Sequence, residues 1–116
     1  MSGVVTLERP AGAQVLRELN GRVGAPARQV FAELCERVDP QGESGIAVDR
    51  DALHAVVQGG YWYRGEYLVE PDGDGARVTL TIVNVAPGSK LLGRLTGRGV
   101  LRSAPGEFAR LLAGLG

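Results

Sequence analysis

"YWYRGEYLVEPDGDGARVTLTIVNV", residues 61–85, decides the fold. β-Branched and aromatic residues fill its two arms, and "PDGDG" (71–75) separates them. Asp and Gly populate the positive-φ positions that tight reversals need, so the stretch is expected to form a β-hairpin. Side chains alternate along an extended strand. Tyr61, Tyr63, Gly65, Tyr67 and Val69 therefore share one face, and Trp62, Arg64, Glu66, Leu68 and Glu70 the other. In the second arm Val78, Leu80, Ile82 and Asn84 oppose Thr79, Thr81, Val83 and Val85. The tyrosine face is the more apolar and is expected to face a covering helix. Trp62 is expected on the outer face. Gly65 marks either a bulge or a close approach.

Upstream, "ALHAVVQ" (52–58) reads as a strand and "QGESG" (41–45) as a turn. In "APARQVFAELCERV" (25–38), Val30, Phe31, Leu34, Cys35 and Val38 fall on one face of a helix. Pro26 suits the first helical turn, and Asp39-Pro40 ends the helix. Further upstream, "AQVLRELNGRV" (13–23) alternates Val15, Leu19 and Val23 with polar neighbours, the period of a strand. "VVTLE" (4–8) reads as a short strand or a leader.

Downstream, Pro87-Gly88 ends the hairpin, and "SKLLGRLTGRGVLRSAPGEFARLLAGLG" (89–116) returns to helical spacing. Leu101, Ala104, Phe108, Leu111, Leu112 and Leu115 make one apolar stripe, continued upstream by Leu91, Leu92 and Leu95. Gly93, Gly97 and Gly99 weaken this helix, and Pro105 kinks or restarts it. The fold class expected is α+β: a curved antiparallel sheet wrapped around a long C-terminal helix.

This order resembles that of the START/polyketide-cyclase superfamily (SRPBCC, the helix-grip fold). The resemblance is carried by "NGRVGAPARQVFAEL" (20–34) and "GGYWYRGEYLVEPDGDGARVTLTIVNVAP" (59–87), as in small bacterial members. It runs over residues 13–115. It implies a single domain over residues 1–116, abbreviated between the first helix and residue 46, with an apolar cavity between sheet and C-terminal helix. A small hydrophobic molecule, lipid- or polyketide-like, is the ligand implied. Tyr61, Tyr63, Tyr67, Leu80, Ile82 and Phe108 are the residues expected to line such a cavity, with Asn84 as polar anchor. The aromatic cluster, four of the chain's six aromatic residues, is also what a packed core would use. Two other functions fit the sequence: a cyclase or aromatase, and an interaction or dimerisation module with a vestigial cavity. The resemblance transfers no catalytic residue.

Composition narrows the classes. The chain has 116 residues, formal net charge zero and 44% hydrophobic residues, as a soluble globular domain does. No apolar run reaches the ~20 residues of a membrane span. A lone Cys35 forms no internal disulfide, and a reducing cytoplasm is the simplest location. Within the apolar stripe it reads as a buried small residue rather than a nucleophile. No metal or cofactor is expected. His54 is the sole histidine, whereas zinc sites gather several His or Cys ligands. "PDGDG" lacks the further ligands of a calcium loop, and "PGSK" (87–90) lacks the upstream Gly of a phosphate loop. No specific nucleic-acid signal is present. From residue 88 onward there are five basic residues and one acidic one, against eight and 12 before it. Lys90, Arg94, Arg98 and Arg102 form a basic ridge, read as a solvated helix back or as a dock for an anionic partner.

Overall fold

The computed structural model describes residues 5–38, 45–59, 62–86 and 98–116. Tyr61, Lys90, Leu91, Leu92, Gly93, Arg94, Leu95 and Gly97 lie outside them. So do Asp39-Pro40, Pro87-Gly88, Val4 and residues 41–44 of the expected turn.

Among the described residues the order is β1 (Gln14–Val23), α1 (Ala27–Val38), β2 (Gly45–Asp49), β3 (His54–Gly59), β4 (Tyr63–Asp72), β5 (Gly75–Asn84) and α2 (Arg98–Ala113). The fold is α+β. The five strands form one antiparallel sheet in the order β1-β5-β4-β3-β2. α1 lies against β4 and β5, and α2 against β1. No described helix is long and apolar enough to cross a membrane.

The β4–β5 hairpin turns at Gly73-Asp74, with Gly73 at φ 62° as this reversal requires. Its register pairs Tyr63 with Asn84, Gly65 with Ile82, Tyr67 with Leu80, and Val69 with Val78. Those eight residues occupy one face, here called inner. Val30, Phe31 and Leu34 of α1 and Ala104 and Phe108 of α2 complete the core with it. Pro105 stands inside α2 on its exposed side, one residue after buried Ala104. The helix continues through it, without the bond that an N–H at this position would make to the Leu101 carbonyl.

Three expectations change. Val15 does not share a face with Leu19 and Val23. The β1–β5 register slips between Val15 and Arg17, a bulge at Leu16. One extra residue reverses the alternation, so Val15 is turned outward and Leu16 packs on the core. Trp62 is not an outer-face residue: it is buried in the core. It precedes the first β4 residue, so strand alternation does not govern its direction. Its ring meets that of Tyr63 edge-on, with centroids 5.4 Å apart and planes at 83°. Finally, "GIAVD" (45–49) is a strand, β2, where the sequence pattern declares only a turn at its start. It closes on β3 through Asp49, whose Oδ1 accepts from the backbone N–H groups of Asp51 and Ala52 at 3.1 Å each.

"VVTLE" forms no ladder strand in its described part, yet it is held. Val5 packs on Gly45 at the start of β2. The Thr6 and Leu7 carbonyls accept from Arg64 at 2.9 and 3.0 Å. Arg9 pairs with Glu66. Residues 5–9 thus run as a strap across the outer face of β2 to β4.

Candidate functional site

Between the inner face and α2 lies a half-open cavity of about 240 Å³. Tyr63 and Tyr67 of β4 and Leu80 and Ile82 of β5 form its floor. Ala104, Phe108 and Leu111 of α2 form its roof, and Val38 of α1 closes one side. Exposed Val100, Glu107 and Arg37 stand at the rim.

Local sequence explains each position. Leu101, Ala104, Phe108 and Leu111 recur at helical spacing, so α2 turns one stripe toward the sheet. At Gly21 of β1 the absent side chain is replaced by that of Leu112, which fixes how closely α2 approaches the sheet. Gly65 is the close-approach case, because the β4–β5 register is continuous through it. The Tyr63 ring lies down over Gly65: a Cβ there would stand 2.6 Å from the Tyr63 hydroxyl and 3.1 Å from its Cζ. Glycine thereby lets Tyr63 point along the strand toward Tyr67.

Burial raises the Tyr63 phenol above its ordinary range, and the Glu107 carboxylate acts in the same direction. Burial raises Tyr67 further, with Tyr63 and Glu107 adding to it. Both phenols are neutral at physiological pH. The Arg37 guanidinium lies against Gly114, just past the end of α2, where a cation is favoured by the helix dipole.

Of the residues singled out in the sequence, Tyr63, Tyr67, Leu80, Ile82 and Phe108 all face this cavity. Tyr61 lies outside the described residues. Asn84 is fully buried on the inner face but does not line the cavity, and its Oδ1 accepts from the Ala86 N–H at 3.0 Å. The lining also includes Arg37, Val38, Val100, Ala104, Glu107 and Leu111, which the sequence does not mark as a site. Ala104 and Leu111 are visible there as part of the α2 stripe. Arg37 and Glu107 carry no such signal, because a charged residue on a helix reads as solvated until the neighbouring element is placed.

His54 lies on the outer face in a shallow cleft with Glu66, Leu68, Thr79 and Thr81. Cys35 is half-buried, and burial raises its thiol above the ordinary value. No group of three or more His, Cys, Asp or Glu able to hold a metal occurs among the described residues. Of the basic ridge, Arg98 and Arg102 are described, and both are exposed on α2.

No family model matches the chain, and no curated protein matches it. The crystal structure of TTHA0849 from Thermus thermophilus is similar, with a TM-score of 0.49 and 17% identity, over 87% of this chain and 91% of that one.

Proposed function

We propose that this chain is a START-like helix-grip domain that binds a small hydrophobic ligand between its sheet and α2. The observation that carries this reading is the half-open 240 Å³ cavity and its lining of two tyrosines, Phe108 and six aliphatic residues, with Arg37 and Glu107 at its rim. An engineered apolar cavity of about 150 Å³ in another protein takes up benzene. A compact one- or two-ring molecule is the size that suits the larger space. Binding pockets are usually apolar with a few oriented polar groups, and the tyrosine pair supplies them here.

A cyclase or aromatase is the less favoured reading. His54 and Arg64 are on the outer face, remote from the cavity lining. The described lining holds no nucleophile paired with a base.

The test is titration with naphthalene, read by its fluorescence and by the rise in Tm that ligand binding produces. Wild-type protein should bind. Ala104→Leu, which fills the cavity from α2, should weaken binding at least roughly tenfold while Tm is kept or raised. Failure of the wild-type protein to bind naphthalene, together with no hydrophobic molecule released on denaturation, would overturn the reading.

A further inference from the structure

The mouth of the half-open cavity is asymmetric in charge. On α2, Val100, Ala104, Glu107 and Leu111 recur at helical spacing and line the cavity along one side of the helix. Glu107 is the acidic member of that stripe. It is exposed, and it forms no ion pair among the described residues. Its carboxylate opposes ionisation of both tyrosines, so its field reaches the floor.

Two cations stand in the neighbourhood, and both are directed elsewhere. A Cβ at Gly114 would lie 3.1 Å from Arg37 Nη1. Gly114 is seven residues beyond Glu107, which at about 1.5 Å per residue is roughly 10 Å along the helix. That is about the screening length of physiological salt. The Arg37 charge faces the negative end of the α2 dipole instead. Arg110 is turned back along the exposed side of α2, where a Cβ at Gly106 would lie 3.8 Å from its Nη1. The walls favour the same sign of guest as Glu107 does. Tyr63, Tyr67 and Phe108 line the cavity, and the negative face of an aromatic ring attracts a cation and not an anion.

We infer that the ligand is a compact apolar molecule carrying one amine cation, with its ring on the tyrosine floor and its ammonium group at the mouth beside Glu107. The inference rests on the cavity-binding reading above. It adds the charge of the ligand and names the residue that reads it.

Phenethylamine, phenethyl alcohol and phenylacetate share a phenyl ring and a short chain, and at neutral pH they end in a cation, a neutral group and an anion. Their affinities are read by displacement of bound naphthalene. Wild-type protein should bind the amine roughly two- to fivefold more tightly than the alcohol, the range of one exposed ion pair. Phenylacetate should bind weakest. The amine preference should shrink in high salt. Glu107→Gln should remove most of it, and Glu107→Lys should place phenylacetate ahead of the amine. Equal binding of amine and alcohol to wild-type protein overturns the inference. So does tighter binding of phenylacetate, or an amine preference undiminished in Glu107→Gln. Each of these outcomes, with naphthalene bound, leaves the cavity reading standing. If naphthalene itself does not bind, the cavity reading falls and this inference falls with it.

Discussion

The two faces of β4 are buried in opposite ways. On the inner face Tyr63, Gly65, Tyr67 and Val69 meet aliphatic side chains, and the packing leaves a cavity. On the outer face Arg64 is fully buried, with its guanidinium donating to four acceptors. Nε donates to Glu66 Oε2 at 2.7 Å. The terminal nitrogens reach the Thr6 carbonyl at 2.9 Å, the Leu7 carbonyl at 3.0 Å and Gln58 Oε1 at 3.3 Å. Arg9 completes the carboxylate of Glu66 from outside. Val56 and Val83 are fully buried beside this network, apart from the inner core. An apolar face tolerates incomplete filling, since its atoms demand only neighbours. A buried guanidinium demands a partner for each N–H. The polar face is therefore the more exacting of the two, and the inner one is where a guest can be admitted.

Breaking the outer face should have the largest effect. Arg64→Ala removes the hub of the network and should cost about 3–5 kcal/mol, the range for one partner removed from a buried ion pair. Urea denaturation reads the loss. Cleavage after Glu8 by a glutamate-specific protease should also accelerate, because the strap loses its two carbonyl anchors. A strap that stays protected in this variant would mean that Val5 and Arg9 hold it unaided.

A smaller effect is expected on the inner face. Gly65→Ala places a methyl group under the Tyr63 ring and should cost about 1–3 kcal/mol as overpacking. The ring must lift into the cavity, so naphthalene affinity should fall. Unchanged affinity at full occupancy would show that Tyr63 can move aside without narrowing the space.

The smallest effect is one of pH. Burial raises the Glu66 carboxyl, but hydrogen bonds and charges from Arg9 and Arg64 outweigh it and hold the group below its ordinary value. A carboxylate depressed in the folded state stabilises it above its unfolded pKa of about 4.3. That stabilisation disappears as pH falls through the folded value. Glu66→Gln should flatten the dependence of stability on pH in the acid range while the profile above about pH 6 keeps its shape. Equal slopes in the two proteins would mean that Glu66 is not a source of the acid sensitivity.

The inner face is legible in the sequence because its residues obey one rule over many positions. Val78, Leu80 and Ile82 alternate, Tyr63, Tyr67 and Val69 alternate against them, and the hairpin turn sets the register. The α2 stripe follows from spacing in the same way. The strap is not legible. Arg64 and Glu66 alternate with apolar residues, so they read as a solvated face. Only the arrival of residues 5–9 from far along the chain buries them. Trp62 and Val15 depart from the pattern for a shared reason: alternation fails at a strand end and at a bulge, and neither boundary is written in the local sequence. Five-residue β2 is too short to declare a period. Arg37 and Glu107 come together with the cavity only through the packing of two helices.

The bulge at Leu16 has a consequence for how copies of the chain meet. Among the described residues β1 is an edge of the sheet, ten residues long, and pairs on one side only. A straight edge of that length is a template on which a neighbour's strand can add, and then another. The extra residue bends the outer rim and breaks the regular spacing of its unpaired N–H and C=O groups. Exposed Arg17 and Glu18 follow immediately, adding charge where a second strand would have to dock. One inserted leucine thus both fills the core and blunts the open margin against edge-to-edge growth into fibrils.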